Sequence, residues 1–517
     1  MARIPDADEQ AEVLAFLEGG GFGGRPERID THAAVVLLVG ERAYKLKKAV
    51  RFSFLDFTTR ERRRAALEAE LVLNRRTAPA LYRRLVPVTR EEDGGLALDG
   101  GGRPVEWLLE MVRFPDEARL DRIAERGGLD RDLAERLGQR VARFHARAAI
   151  RRDKGGAAAL AAVVRGNASD LRELVPELLP GERVERACAA VERALAPVEP
   201  LLEARRLAGL VRHGHGDLHL ANIVALDGEP TPFDCLEFDE DLACTDLLYD
   251  LAFLLMDLLA RGLEEAARTC LQAWADARLD DQGLALLPLL IAIRAQIRAK
   301  VEGFTARAVR AAEERARHRT SAQHYLEQVL RVLEPRPVRL VAIAGRSGTG
   351  KSSIAAALAP ALGPVPGALV LRSDVVRKRS FGRQPEERLA AEAYRPEVTR
   401  RVFAALAERA GRLAAAGRAV VCDAVYGLPE QRAELRAAAE RAGVPFTGIW
   451  LEAPEEVLEA RVAARRGDAS DADVAIVRRQ AETVAAPSPE EGWLRIDASG
   501  TPEAICARVR AVLAGER

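Results

Sequence analysis

The chain has 517 residues, 48% hydrophobic and 30% charged, with 78 basic and 78 acidic side chains. That length suggests about three folding units, and the zero net charge leaves no long-range basic field to gather nucleic acid or an anionic membrane. The apolar content excludes a mostly disordered chain, and with only 5% aromatic residues the cores must be rich in Leu, Ala and Val. Six scattered cysteines form no Cys-x-x-Cys pair, which argues against zinc and a disulfide framework and for a reducing compartment. The acidic start has no apolar h-region, and the most apolar stretch of the first half, 247–259, is interrupted by Asp250 and Asp257. It is too short and too charged to span a bilayer, so a soluble cytoplasmic protein is expected.

In chain order, the glycine cluster at 19–24 reads as a mobile turn, because it follows no strand and opens no helix. Residues 33–39 are a short apolar run ended by Gly40 and Glu41, and residues 43–50 alternate. This predicts a hairpin whose second strand carries Lys45 and Lys47 on one face. Residues 59–76 have helical periodicity, and 85–88 and 105–112 read as further strands. Together they make a small lobe of about 28–114.

From Asp116 to about Leu330 the pattern is mostly helical, with short apolar runs between polar turns at 210–238. This predicts a helical lobe of about 115–334. Arg294 and Arg298 lie four apart on one helix, either a solvated basic face or an anion clamp. A charged helical stretch at 306–333 ends in Glu334-Pro335-Arg336-Pro337, where two prolines in three residues cannot continue a helix. Beyond this linker a buried-type strand at 338–344, a glycine loop, a helix at 352–362 and strands at 368–371, 419–422 and 446–451 alternate with helices. Such alternation predicts an α/β domain with a parallel sheet. The expected domains are therefore 1–334 and 335–517, with interdomain contact within the chain.

Two motifs carry chemistry. In the first half, His215-Gly216-Asp217-Leu218-His219-Leu220-Ala221-Asn222 has the spacing H-x-D-x-x-x-x-N. In kinase-like enzymes that Asp orients and deprotonates the acceptor hydroxyl, and the Asn binds magnesium. Seventeen positions after Asp217, Asp234 stands on the following hairpin, where a second magnesium ligand belongs. His215 reads as a brace for the loop, and His219 as either an acceptor contact or loop packing.

In the second half, Gly345-Arg346-Ser347-Gly348-Thr349-Gly350-Lys351-Ser352 fits G-x-x-x-x-G-K-[ST]. Its backbone N–H groups would face a polyphosphate, Lys351 would reach the terminal phosphates, and Ser352 would offer a hydroxyl to magnesium, with Ser353 next on the helix. Asp374 sits just after the second strand, as a base for an attacking hydroxyl or as a helix N-cap. Asp423 ends the third strand, as a magnesium-holding acid or a plain turn residue. Arg461 and Arg465 share a helix face before a candidate lid at 467–473; they are either phosphate-neutralising arginines or a solvated basic face.

From Val338 onward these residues resemble the P-loop small-molecule kinases: gluconate kinase, chloramphenicol phosphotransferase and zeta-toxin-like sugar-nucleotide kinases. Over roughly 28–320, the HGDxxxxN loop and the acid strand after it resemble the aminoglycoside phosphotransferase and choline-kinase-like family. That resemblance implies Asp217 as base, Asn222 and Asp234 as metal ligands, Lys45 or Lys47 on the nucleotide phosphates, and Glu70 paired with that lysine. It also implies a hinge beside adenine at 110–112 and a structural acid at Asp250. The sequence departs from the pattern after Asp234, where Cys235 and Leu236 follow, with Glu237 close. It departs again between the first two strands, where Val39-Gly40-Glu41-Arg42 replaces a glycine-rich loop.

The implied fold class is an α+β bilobal protein-kinase-like domain followed by an α/β P-loop NTPase domain. The order of the two resembles a bacterial architecture joining a phosphotransferase-like domain to a zeta-toxin-like one. The expected activity is ATP- and magnesium-dependent transfer of phosphate to the hydroxyl of a small molecule at two sites, with GTP an alternative donor and neither nucleic acid nor membrane as partner. Two other readings are a toxin-like P-loop kinase regulated by a catalytically weak phosphotransferase-like binding module, and an NTP hydrolase.

Overall fold

The computed structural model describes residues 6–52, 55–383, 387–464, 470 and 473–515. The chain packs as two units, Met1–Val163 with Glu199–Leu258, and Val164–Val198 with Leu259–Arg517.

The first unit opens with helix α1 (Ala7–Phe16), which runs into a π-type turn at Leu17–Gly21, so the glycine cluster ends a helix. Val13 and Leu17 are fully buried against the sheet residues Val35, Leu37 and Leu46, which places this segment in the core of the small lobe. The sheet contains β1 (Glu27–Asp30), β2 (Ala34–Val39), β3 (Arg42–Lys47), β4 (Tyr82–Arg90), β5 (Leu96–Leu98) and β6 (Arg103–Val112), in the order β1-β2-β3-β6-β4-β5 and antiparallel throughout. Strand β1 has no apolar alternation, since all four of its residues are exposed at the sheet edge. Lys45 pairs in register with Val36 on one side and Leu109 on the other, and Lys47 follows two residues on, on the same face.

Helix α2 (Arg60–Asn74) is capped by Thr59, whose side chain accepts from the Arg62 N–H. A buried polar knot ties α1 and α2 to this sheet. Arg63 Nε and Gln10 Nε2 each donate to Glu106 Oε2 at 2.8 Å, and Gln10 Nε2 also reaches the Lys47 carbonyl at 2.9 Å. Burial pushes the Glu106 carboxyl up, against the opposing pull of Arg63. Glu106→Ala strands the Arg63 guanidinium in the core, with an expected loss of about 3–5 kcal/mol in urea unfolding followed by circular dichroism.

The helical part of this unit contributes α3 (Arg131–Arg147), the hairpin β7 (Ile223–Leu226) and β8 (Glu229–Pro232), and α4 (Leu247–Ala260). Among the described residues no helix is long and apolar enough to cross a membrane.

In the second unit, the stretch expected as one helix at 306–333 is two, Leu287–Ala308 and Ala312–Leu333, separated where Val309 turns extended. The break lets the two helices pack on each other. Arg294 is buried on the first of them, so the solvated basic face is not realised there. The helix Glu264–Arg278 belongs with the P-loop sheet. Gln272 Oε1 accepts from the Val370 N–H at 2.8 Å at the sheet edge, and Arg409 reaches Asp276 at 2.7 Å and Asp281 at 3.1 Å. Residues 264–281 thus contact the edge strand of the P-loop sheet and the helix Pro396–Ala415 within this unit.

That domain runs β9 (Leu340–Gly345), α5 (Lys351–Leu358), β10 (Leu369–Arg372), α6 (Ser373–Ser380), α7 (Pro396–Ala415), β11 (Val420–Asp423), α8 (Pro429–Arg441), β12 (Phe446–Glu452), α9 (Glu455–Ala463), α10 (Val474–Thr483), β13 (Leu494–Asp497) and α11 (Pro502–Ala514). The five strands are parallel in the order β10-β11-β9-β12-β13. Every residue of β9 is buried, as a central strand covered on both faces requires.

Candidate functional sites

In the first unit the loop at 215–222 is held from behind by helix α4. Asp250 accepts the His215 and Gly216 backbone N–H groups at 2.9 Å each and lies 3.1 Å from His145 Nε2. Burial alone would raise its carboxyl, but His145 and these donors hold it well below the usual carboxylate range. Asp257, two helical turns further along, accepts the Leu220 N–H at 2.9 Å. Gly216 has φ +82°, and a Cβ there would meet the Leu236 Cβ at 2.8 Å, so the loop needs glycine at this point.

With its backbone fixed, the loop brings Asp217 and Asn222 together. Asn222 Nδ2 donates to Asp217 Oδ2 at 2.8 Å and to the Asp217 carbonyl at 3.0 Å. His219 Nε2 is 3.4 Å from the same Oδ2, and its ring packs 5.2 Å from Phe253, contacts of the loop-packing kind among the two roles the sequence left open for it. Burial opposes ionisation of Asp217, but His219 and His215 keep its carboxyl below the usual range.

Asp234 follows the hairpin with φ +60°, a left-handed conformation that Asp tolerates better than most residues. Its Oδ1 accepts from Lys45 Nζ at 2.7 Å, and Lys45 also contacts Glu70 Oε1 at 2.7 Å. Burial would raise the Asp234 carboxyl, but the lysine charges hold it at about 2. Lys47 Nζ lies deeper, 2.6 Å from Glu70 Oε2 and in contact with Glu237. Both lysines therefore share Glu70, and Lys45 alone of the two touches Asp234. Glu237, singled out in the sequence only as a nearby acid, is the partner of Lys47.

Lys45, Lys47, Asp217, Asn222, Asp234 and Glu237 line one cavity of about 1250 Å³, together with Met111, Val112 and Phe233. Glu110 itself is turned to Arg84 and Arg42, at 3.2 and 3.4 Å. Because β1 precedes β2, the turn at 39–42 joins the second and third strands. The first turn is Thr31-His32-Ala33, closed by Thr31 N–H to the Ala34 carbonyl and Ala34 N–H to Thr31 Oγ1, both at 2.9 Å. It contains no glycine.

The second constellation forms around β9, β11 and α5. Gly345 has φ +134° and a Cβ there would lie 2.3 Å from the Leu451 carbonyl oxygen; Gly348 has φ +88° and would meet the Leu458 carbonyl at 2.7 Å. Gly350, at φ +85°, starts α5. Ser352 Oγ donates to Asp423 Oδ2 at 2.6 Å, which joins the loop to the end of β11. Lys351 Nζ and Thr349 Oγ1 donate to the Arg346 carbonyl at 2.9 and 2.8 Å. The Ser347 N–H donates to Gln480 Oε1 at 2.8 Å, while Ser353 is exposed. Arg372 Nε lies 3.3 Å from Asp423 Oδ2.

Asp374 is inside the first turn of α6, whose N-cap is Arg372, so the capping alternative is not realised. Burial and the nearby Asp423 push its carboxyl up. Arg461 donates to the carbonyls of Ala498, Ser499 and Gly500 at 2.8, 3.2 and 2.9 Å, which commits its guanidinium to the loop after β13. Arg465, and residues 467–469 and 471–472 of the expected lid, lie outside the described residues.

Among the described residues no group of three or more His, Cys, Asp or Glu side chains could hold a metal ion. Each constellation instead offers a carboxylate with one amide or hydroxyl oxygen: Asp234 with Asn222, and Asp423 with Ser352. That donor set suits magnesium, which takes few protein oxygens and completes its shell with water and phosphate.

The profile of an AAA domain matches residues 340–487. The uncharacterized protein Rv2004c of Mycobacterium tuberculosis is 31% identical over 484 residues, covering 92% of each chain. An adenylyl-sulfate kinase of Myxococcus xanthus is 36% identical over 122 residues, 23% of this chain and 60% of that protein. Among solved structures, a choline/ethanolamine kinase family protein from Mesorhizobium loti is similar with a TM-score of 0.36 at 14% identity, over 62% of this chain and 98% of that one.

Proposed function

The chain belongs to the same family as the mycobacterial protein Rv2004c, and we propose that it is an ATP- and magnesium-dependent phosphotransferase with two separate sites, each transferring phosphate to a hydroxyl of a small molecule. The observation that carries the reading is the meeting, in one cavity, of Asp217 and Asn222 with Asp234 and its lysine. The pairing of Ser352 with Asp423 beside the glycine loop supports a second site of the same chemistry.

At the first site Lys45, steadied by Glu70, grips the nucleotide phosphates, and Asn222 and Asp234 would hold magnesium. Asp217 orients the acceptor hydroxyl through one carboxylate oxygen and takes its proton as the oxygen attacks. At the second site the N–H groups of the loop at 345–350 and Lys351 cradle the phosphates. Ser352 and Asp423 would hold magnesium there, and Asp374 accepts the acceptor proton. Magnesium, when bound, offsets the charge on the phosphate oxygens.

The acceptor class is a sugar, an aminoglycoside-like amine or a sugar nucleotide, and the working modules are 1–334 and 335–517 in the cytoplasm. One observation favours the alternative in which the first module regulates the second: the glycine-free turn Thr31–Ala33 offers fewer free N–H groups to phosphates than a glycine-rich loop does. A screen of hydroxylated acceptors with γ-labelled ATP tests the reading. Label should appear on at least one acceptor; phosphate released at full turnover with no acceptor labelled would identify an NTP hydrolase instead.

A further inference from the structure

Four consecutive backbone N–H groups run through the segment that presents Asp234, and each has its own acceptor. The Phe233 N–H donates to the Asn222 carbonyl and the Leu236 N–H to the His215 carbonyl, both at 2.9 Å, so the loop of Asp217 holds the two ends. The two middle groups are held by side chains of the small lobe. The Asp234 N–H donates to the Tyr82 hydroxyl oxygen at 3.1 Å, and the Cys235 N–H donates to Asn74 Oδ1 at 2.8 Å.

Both side chains are buried, Tyr82 at 2% exposure and Asn74 at 0%. Tyr82 opens strand β4 and packs among Leu67, Leu109 and Val224. Asn74 closes α2, and its Nδ2 donates to the Glu70 carbonyl at 2.9 Å. Glu70 in turn holds Lys45, and Lys45 reaches Asp234. Asn74 thus closes a ring of contacts that runs from α2 through Lys45 to Asp234 and back through Cys235. An aspartate with φ +60° keeps a single orientation only where its surroundings fix it.

We infer that Tyr82 and Asn74 are positioning residues for Asp234, aiming its carboxylate at the divalent ion of the bound nucleotide and tying that aim to the pose of α2. The inference rests on the proposed role of Asp234 as a metal ligand. Neither residue touches phosphate or acceptor in this account; both act through the Asp234 and Cys235 backbone. Partners one step behind a metal ligand commonly set metal affinity by about 10- to 100-fold.

The test uses the full chain carrying Lys351→Ala, which weakens the P-loop site, with Mn²⁺ and a non-hydrolysable ATP analogue, bound Mn²⁺ being read by electron paramagnetic resonance. Tyr82→Phe keeps the ring and removes the acceptor of the Asp234 N–H. It and Asn74→Ala should each weaken Mn²⁺ binding by about 10-fold, while analogue affinity without divalent ion and the unfolding temperature of Tyr82→Phe stay at the parent's values. Parent-like Mn²⁺ affinity in both Tyr82→Phe and Asn74→Ala overturns the inference, as does a loss that follows thermal stability alone. A parent that binds no Mn²⁺ with the analogue refutes the metal-ligand reading itself, and the inference falls with it.

Discussion

Asp217→Asn is expected to lower the turnover of the first site by on the order of 10²–10⁴-fold, the range attributed to a positioned general base. The substitution is isosteric. The amide can still meet Asn222 Nδ2, the loop is still fixed by Asp250 and Asp257, and the cavity keeps its shape. What disappears is the ability to take a proton from the acceptor hydroxyl. The loss should therefore fall on kcat, with nucleotide affinity and unfolding temperature unchanged, in an assay of labelled phosphate transfer to the acceptor that the screen identifies. A variant with wild-type kcat would remove Asp217 from the chemistry.

Lys351→Ala should abolish the second site while sparing the first. Lys351 Nζ rests against the Arg346 carbonyl, part of the loop it closes, and it is the only lysine of that loop. Its replacement removes one preorganised cation from the phosphates, with an expected cost on the order of 10²–10³-fold in transfer. The glycines at 345 and 348 keep their backbone, since neither approach to Leu451 or Leu458 involves the lysine side chain. Transfer that persists undiminished in Lys351→Ala but vanishes in Asp217→Asn would assign all activity to the first site.

What could be seen in the sequence was local. The glycine loop at 345–352 is a continuous segment between a strand and a helix, so its residues arrive together wherever the chain folds. The same holds for Asp217 and Asn222, five residues apart on one turn, and the position of Asp234 followed from its hairpin. Lys45 and Lys47 were inseparable by sequence because both fall on one strand face. The long-range approach of Asp234 to Lys45 and of Glu237 to Lys47 distinguishes them.

The unseen parts depend on distant partners or lack a pattern. Strand β1, Glu27-Arg28-Ile29-Asp30, lies at an edge with every residue exposed, so no alternation marks it. Missing it misplaced the first turn of the sheet. Gln10, Asn74 and Tyr82 make contacts with groups 37 to 161 residues away, and nothing in their neighbourhood announces them. Asp257 was legible in principle. Asp250 and Asp257 are seven apart, on one face of an otherwise apolar helix, a spacing that points two carboxylates at the same loop. Arg461 followed the helical spacing but turned to the carbonyls of 498–500, a choice set by strand β13, which the sequence did not reveal.

Counting nucleotide per chain by equilibrium dialysis with magnesium and a non-hydrolysable ATP analogue puts the two-site account to its most direct test. Two molecules should bind to the intact chain, one to Lys351→Ala and one to Asp234→Asn. A single molecule on the intact chain, lost in one variant and untouched by the other, would contradict it.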